Sequence, residues 1–183
     1  MNLWGKLLKW AGWKVDISAP WTDKCVICVA PHTSNWDFIL GLFAYRSLGR
    51  RANFLMKKFW FFFPLKYLLK ALGGIPVYRT EKGAGLTDQI IEDFKTREYL
   101  NLAVTPEGTR KATDKWRTGF LRIAIEAHVP VMLGVIDYAS KTIIIRDEYN
   151  PSGDIARDMT YVSNYYGNFT EGARYPDKFH LNK

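Results

Sequence analysis

Cysteine is nearly missing from this chain: of 183 residues only Cys25 and Cys28 carry a thiol. They lie three apart in the apolar run CVICVA, and in a strand such residues point to opposite faces, so no disulfide is expected between them. No helix start follows the pair, which makes core thiols the expectation over a redox motif. Long apolar runs are missing too. No stretch reaches the roughly 18 consecutive apolar residues of a membrane-spanning helix, and the opening MNLWGKLLKWAGWK has neither a long apolar centre nor a small-residue cleavage site. These absences predict an intracellular protein that does not cross a membrane. Histidine occurs three times, at His32, His128 and His180, too scattered to compose a metal site. The pattern G-x-S-x-G is absent, which argues against a serine nucleophile. No repeat, linker or low-complexity tract divides the chain, and with 48% hydrophobic residues its length suits one domain, residues 1–183, around a sizeable core.

Positive charge is in excess. Lys and Arg outnumber Asp and Glu 26 to 18, a net charge of +8. That balance favours an anionic partner: nucleic acid, an anionic membrane surface or a phosphorylated substrate. Charge alone does not choose among them.

At the N-terminus Leu3, Trp4, Leu7 and Leu8 recur at helical spacing, with Lys6, Lys9, Lys14, Trp10 and Trp13 interleaved. This predicts a basic amphipathic helix over residues 1–14, suited either to lipid headgroups or to packing on the domain through its Leu/Trp face. Residues 25–30 read as a buried strand and 36–48 as a helix, so strand, polar turn and helix follow one another as in α/β proteins. Residues 54–74, FLMKKFWFFFPLKYLLKALGG, predict two short helices bent at Pro64. Their five consecutive aromatics cannot all face inward, so residues 54–70 are a second candidate membrane-surface element. Beyond Gly73 and Gly74 the pattern predicts strands at IPVY, at LAVT (102–105), from Val129 and at KTIIIRDEY. Helices are predicted over 86–98, 120–128 and 155–167. The expected fold is a single α/β domain with a mixed, mostly parallel sheet flanked by helices.

Two turns after buried strands carry chemistry. In PHTSNWDF, residues 31–38, Ser34 and Asp37 fit a helix cap, which accounts for Asp37 without His32. A histidine in such a turn lies where open α/β sheets bind ligands. If Asp37 reaches one imidazole nitrogen, the other is left as a base. In TPEGTR, residues 105–110, a glycine, a hydroxyl and an arginine again follow a strand, beside Arg79 and Arg117. Three arginines near strand ends suit an anion pocket.

In order and spacing these residues resemble the glycerolipid acyltransferase family, which includes the 1-acylglycerol-3-phosphate acyltransferases. The H-x-x-x-x-D block stands at His32–Asp37 and the G-x-[apolar]-x-[apolar]-x-R block at Gly73–Arg79. E-G-T-R is complete at Glu107–Arg110, and an apolar run with proline is Val129–Met132. Pro76 and Tyr78 stand where many members carry Phe and an acidic residue, Gly134 where many have a second proline, and Arg117 where relatives often have lysine. The resemblance implies an O-acyltransferase of phospholipid biosynthesis, with His32 as general base and Asp37 orienting it. Arg79, Arg110 and Arg117 would hold the acceptor's phosphate, Glu107 would orient the arginines or a glycerol hydroxyl, and Gly108 and Thr109 would bind substrate beside them. It also implies a lysophosphatidic acid-like acceptor, acyl-CoA or acyl-carrier protein as co-substrate, no metal and no other cofactor. The protein would act as a cytoplasmic, peripheral enzyme on the anionic inner face of the cell membrane, with no nucleic acid partner. The alternatives are an acceptor without phosphate, such as an aminoacyl lipid, or a non-enzymatic module binding anionic lipid or nucleic acid.

Overall fold

A computed structural model of the chain describes residues 2–77 and 85–182. Strands β1 (Lys14–Ile17), β2 (Lys24–Val29), β3 (Asn53–Lys57), β4 (Gly74–Val77), β5 (Leu100–Val104), β6 (Val131–Asp137) and β7 (Thr142–Tyr149) form one seven-stranded sheet in the order β1-β7-β6-β2-β5-β3-β4. Every pairing is parallel except β6 with β7, so the sheet is mixed and mostly parallel. Helices α1 (Leu3–Trp10), α2 (Asn35–Ser47), α3 (Leu65–Leu72), α4 (Leu86–Thr96), α5 (Gly119–Ala127) and α6 (Ile155–Gly167) flank it.

Central strands of such a sheet are covered on both faces, which is why β2 and β6 read as unbroken apolar runs rather than as alternating ones. Beneath α4, α5 and α6 the core holds Cys28, Leu102 and Leu133 with Phe94, Leu121 and Val162. On the other face Cys25 and Ile27 pack with Tyr45, and Leu8 of α1 packs with Leu40 and Ala44 of α2. The two thiols therefore sit in different cores, both free and buried, as their spacing in a strand requires. Tyr166, fully buried on α6, donates its hydroxyl to the carbonyl of Cys28 at 2.5 Å and pins that helix over β2.

Arg46, in the last turn of α2, joins the helices of the second face. Its Nη2 donates to the carbonyl of Ala71 in α3 at 2.8 Å, and its guanidinium lies 5.6 Å from the ring centre of Trp4 in α1. The side chain of Asn2 donates to its carbonyl at 2.7 Å. Between α3 and β4 the chain turns at Gly73 with φ of 103°, and a Cβ there would lie 2.3 Å from the carbonyl oxygen of Ala52. Only glycine permits so close a backbone approach.

Two expectations are corrected. Residues 54–57 form strand β3 rather than a helix, because β5 and β4 flank them and supply backbone partners on both sides. A single turn at Lys58–Trp60 follows, and the one helix of this segment begins at Leu65, beyond Pro64. Phe54 is buried, so the exposed part of the proposed surface element starts only at Lys57. The first helix ends at Trp10 rather than at residue 14, and Lys14 opens β1, drawn out by pairing with β7. Among the described residues no helix is long and apolar enough to cross a membrane.

Candidate active site

The strand order sets the site. From β2 the chain passes to β3 on one side, whereas from β5 it crosses β2 to reach β6 on the other. Such a reversal opens a crevice at the carboxyl ends of the strands. The turns after β5, β2 and β6 lie side by side there and carry Glu107, His32 and Tyr138.

In the turn after β2, Ser34 caps α2 by accepting the amide of Trp36, and Asp37 completes a capping box. Asp37 is almost wholly buried. Its Oδ2 accepts the backbone amides of Thr33 at 2.9 Å and Ser34 at 2.8 Å, and His32 Nδ1 lies 3.3 Å from the same oxygen. Its Oδ1 accepts the hydroxyl of Tyr138 at 2.6 Å. Capping and histidine orientation are therefore one arrangement. The carboxylate facing Nδ1 assigns the ring proton to that nitrogen and leaves Nε2 as an acceptor.

Glu107 links this turn to the next. Its Oε1 accepts the backbone amide of His32 at 2.8 Å, while Oε2 is buried without a hydrogen-bond partner among the described residues. Burial pushes its carboxyl up from 4.5 to about 7, against the opposing influence of the His32 amide. Gly108 follows with φ of 62°, and a Cβ there would come within 2.6 Å of Arg117 Nε. The Arg117 side chain thus lies against the E-G-T-R turn, and its amide donates to the carbonyl of Pro106 at 2.7 Å. Thr109 Oγ1 accepts the amide of Lys111 at 3.2 Å, and Arg110 is exposed on the same turn.

Of the residues picked out from the sequence, His32, Asp37 and Glu107 are brought into direct contact, and Gly108 with Arg117 form the adjoining turn. Arg79 lies outside the described residues. Tyr138 went unnoticed, although it directly follows the apolar run VMLGVID and so sits at a strand's carboxyl end. Tyr175 went unnoticed as well. Its amide donates to Thr33 Oγ1 at 3.2 Å, bringing the C-terminal segment onto the His32 turn. Nearby, the Arg174 guanidinium lies 5.7 Å from the ring centre of Trp36.

Among the described residues no group of three or more His, Cys, Asp or Glu could hold a metal ion. What the site offers is an oriented imidazole at a crevice, beside a glycine turn that carries arginines. This suits proton removal from a hydroxyl close to a bound anion.

The Acyltransferase family model matches residues 16–136, which carry both turns. No curated protein matches the chain. Among solved structures, the fold is similar to that of the 1-acyl-sn-glycerophosphate (LPA) acyltransferase PlsC from Thermotoga maritima. The TM-score is 0.58 at 21% identity, over 88% of this chain and 73% of that one. With two thirds of its length matched by the family model, the chain belongs to the acyltransferase family and is an acyltransferase enzyme.

Proposed function

We propose that the protein moves a fatty acyl group from acyl-CoA or acyl-carrier protein to the free hydroxyl of a lysophosphatidic acid-like acceptor, a step of phospholipid biosynthesis. The observation that carries this reading is the 3.3 Å approach of His32 Nδ1 to buried Asp37, at the carboxyl end of a central strand. An alcohol ionises far above neutrality, so a base must take its proton as it attacks the thioester. His32 Nε2 takes that proton and the hydroxyl oxygen bonds to the acyl carbon. Asp37 orients the imidazole and stabilises the imidazolium, as the aspartate of a serine hydrolase triad does. The tetrahedral intermediate then expels the thiolate, which recovers the proton from His32. The acceptor is itself the nucleophile, so no acyl-enzyme forms. Arg110 and Arg117, with Arg79, hold the acceptor's phosphate, and Glu107 fixes the backbone of the His32 turn. The solved neighbour is named for an acceptor of this kind.

Two surfaces suit contact with an anionic bilayer from its cytoplasmic side. On α1, Leu3, Leu7 and Trp10 form an exposed stripe at helical spacing beside Lys6 and Lys9. From the end of β3 through α3, Phe59, Trp60, Phe62, Phe63, Tyr67 and Leu68 are exposed near Lys57 and Lys70. Apolar side chains with interleaved lysines match the boundary between headgroups and acyl chains.

The test is thiol release from long-chain acyl-CoA or acyl-carrier protein in the presence of lipid vesicles, with lysophosphatidic acid, with a phosphate-free lysolipid, or with neither. Release that needs the phosphate-bearing acceptor and drops by roughly 100-fold or more in His32→Ala supports the reading. Release without an acceptor identifies a thioesterase, and equal use of both acceptors removes the phosphate from the proposal.

A further inference from the structure

Tyr138 is held on three sides. Its ring meets Trp13 edge-on at 5.0 Å, the Arg174 guanidinium lies 5.8 Å from its centre, and its amide donates to the carbonyl of Gly172 at 2.8 Å. These contacts aim the hydroxyl at Asp37 Oδ1, the carboxylate oxygen that neither caps α2 nor faces His32. The cap is already complete through Oδ2 and Ser34, and the ring would pack equally well as phenylalanine. The hydroxyl is thus needed neither for the cap nor for the packing of the ring, and what it serves is the buried Asp37 carboxylate.

Resting on the reading of His32 as the base, we infer that Tyr138 is a positioning residue for acyl transfer, whose hydroxyl locks the Asp37 carboxylate and moderates the charge that His32 feels. A donor on Oδ1 fixes rotation of the carboxylate about its last torsion and so fixes the direction of Oδ2 toward Nδ1. It also draws electron density from the carboxylate, which weakens its hold on the imidazolium. The other groups facing His32 are Asp37 from α2, Glu107 from the turn after β5 and, behind Tyr138, Arg174 from the C-terminal segment. Arg174 also hydrogen-bonds the Tyr138 side chain, and among the described residues the hydroxyl of Tyr138 is the donor that Oδ1 accepts, so Tyr138→Phe removes it.

The experiment compares wild type with Tyr138→Phe in the acceptor-dependent assay across pH, and follows the His32 ring by NMR titration, its signal assigned with His32→Ala. The expected result is a kcat lower by roughly tenfold with KM little changed. The His32 titration and the acid limb of kcat/KM should both move to higher pH by roughly several tenths of a unit. The sign follows from the chemistry: without the donor, Asp37 stabilises the imidazolium more. 3-Fluorotyrosine at position 138, a stronger donor of nearly the same shape, should move both to lower pH and decides the matter if Tyr138→Phe does not fold. A slower enzyme with an unmoved titration and acid limb would mean that Tyr138 only packs, and the inference falls. It falls too if the two variants move His32 in the same direction. Retained activity in His32→Ala would overturn the assignment of the base instead, an outcome read separately from the NMR titration.

Discussion

The backbone amide of His32 donates to Glu107 Oε1 at 2.8 Å, so two turns that lie far apart in the chain are fastened by one buried carboxyl. That carboxyl makes folding depend on pH. Burial raises it from 4.5 to about 7, so as pH climbs the unfolded chain loses this proton before the folded one does. Its contribution to stability is fully present below about pH 4.5 and is lost as pH rises to about 7, on the order of 3 kcal/mol in all. Glu107→Gln keeps an acceptor for the His32 amide and removes the titration. Urea unfolding at pH 5 and pH 7.5 should show a smaller loss in the variant, and equal losses would disprove the assignment.

Gly108→Ala should disturb acceptor binding. Its positive φ strains an alanine by about 1 kcal/mol or more, and the new methyl would meet Arg117 Nε. The guanidinium must move. Steady-state kinetics should give an acceptor KM raised at least about fivefold, with a smaller change in the donor KM. An unchanged acceptor KM would separate Arg117 from phosphate binding.

Replacing Trp10, Phe59 and Phe63 together by glutamine should leave the fold intact, because the three are between 76% and 89% exposed. Binding to anionic vesicles in a sedimentation assay should weaken by at least about tenfold, given roughly 1 kcal/mol or more for each aromatic withdrawn from the bilayer boundary. Unaltered binding with an unaltered melting temperature would place the membrane contact elsewhere.

The thiols should be silent in the folded protein. Cys25 is pushed up to about 12 by burial, and Cys28, wholly buried, is raised further. A thiol reagent at pH 8 should titrate neither in native buffer and both in guanidinium. Rapid native labelling would show that the central strand opens locally.

Much of this was legible because buried strands and their following turns are local features. CVICVA and LAVT announce central strands, and the spacing of Ser34 and Asp37 announces the helix start between them. β1 was not legible: KVDI is four residues at a sheet edge, two of them charged, and only pairing with β7 makes it a strand. Residues 54–57 were misread for a similar reason, since a short apolar run has no period that separates helix from strand. At the site, the contact of His32 with Asp37 follows from five-residue spacing and a cap. The bond from His32 to Glu107 and that from Tyr138 to Asp37 depend on β6, β2 and β5 being neighbours, a matter of strand order that no local pattern states.

Among the described residues strand β1 pairs only with β7, Lys14 standing opposite Thr142. During translation β1 is made long before β7, so it waits for a partner that lies far along the chain. The turn at His32 waits as well, first for Glu107 and then for Tyr138. Contacts so distant in sequence are slow to close, and a nascent chain stopped before residue 142 has no complete sheet to offer. The closed sheet and the finished His32 turn therefore depend on the same late stretch of chain, β6, Tyr138 and β7.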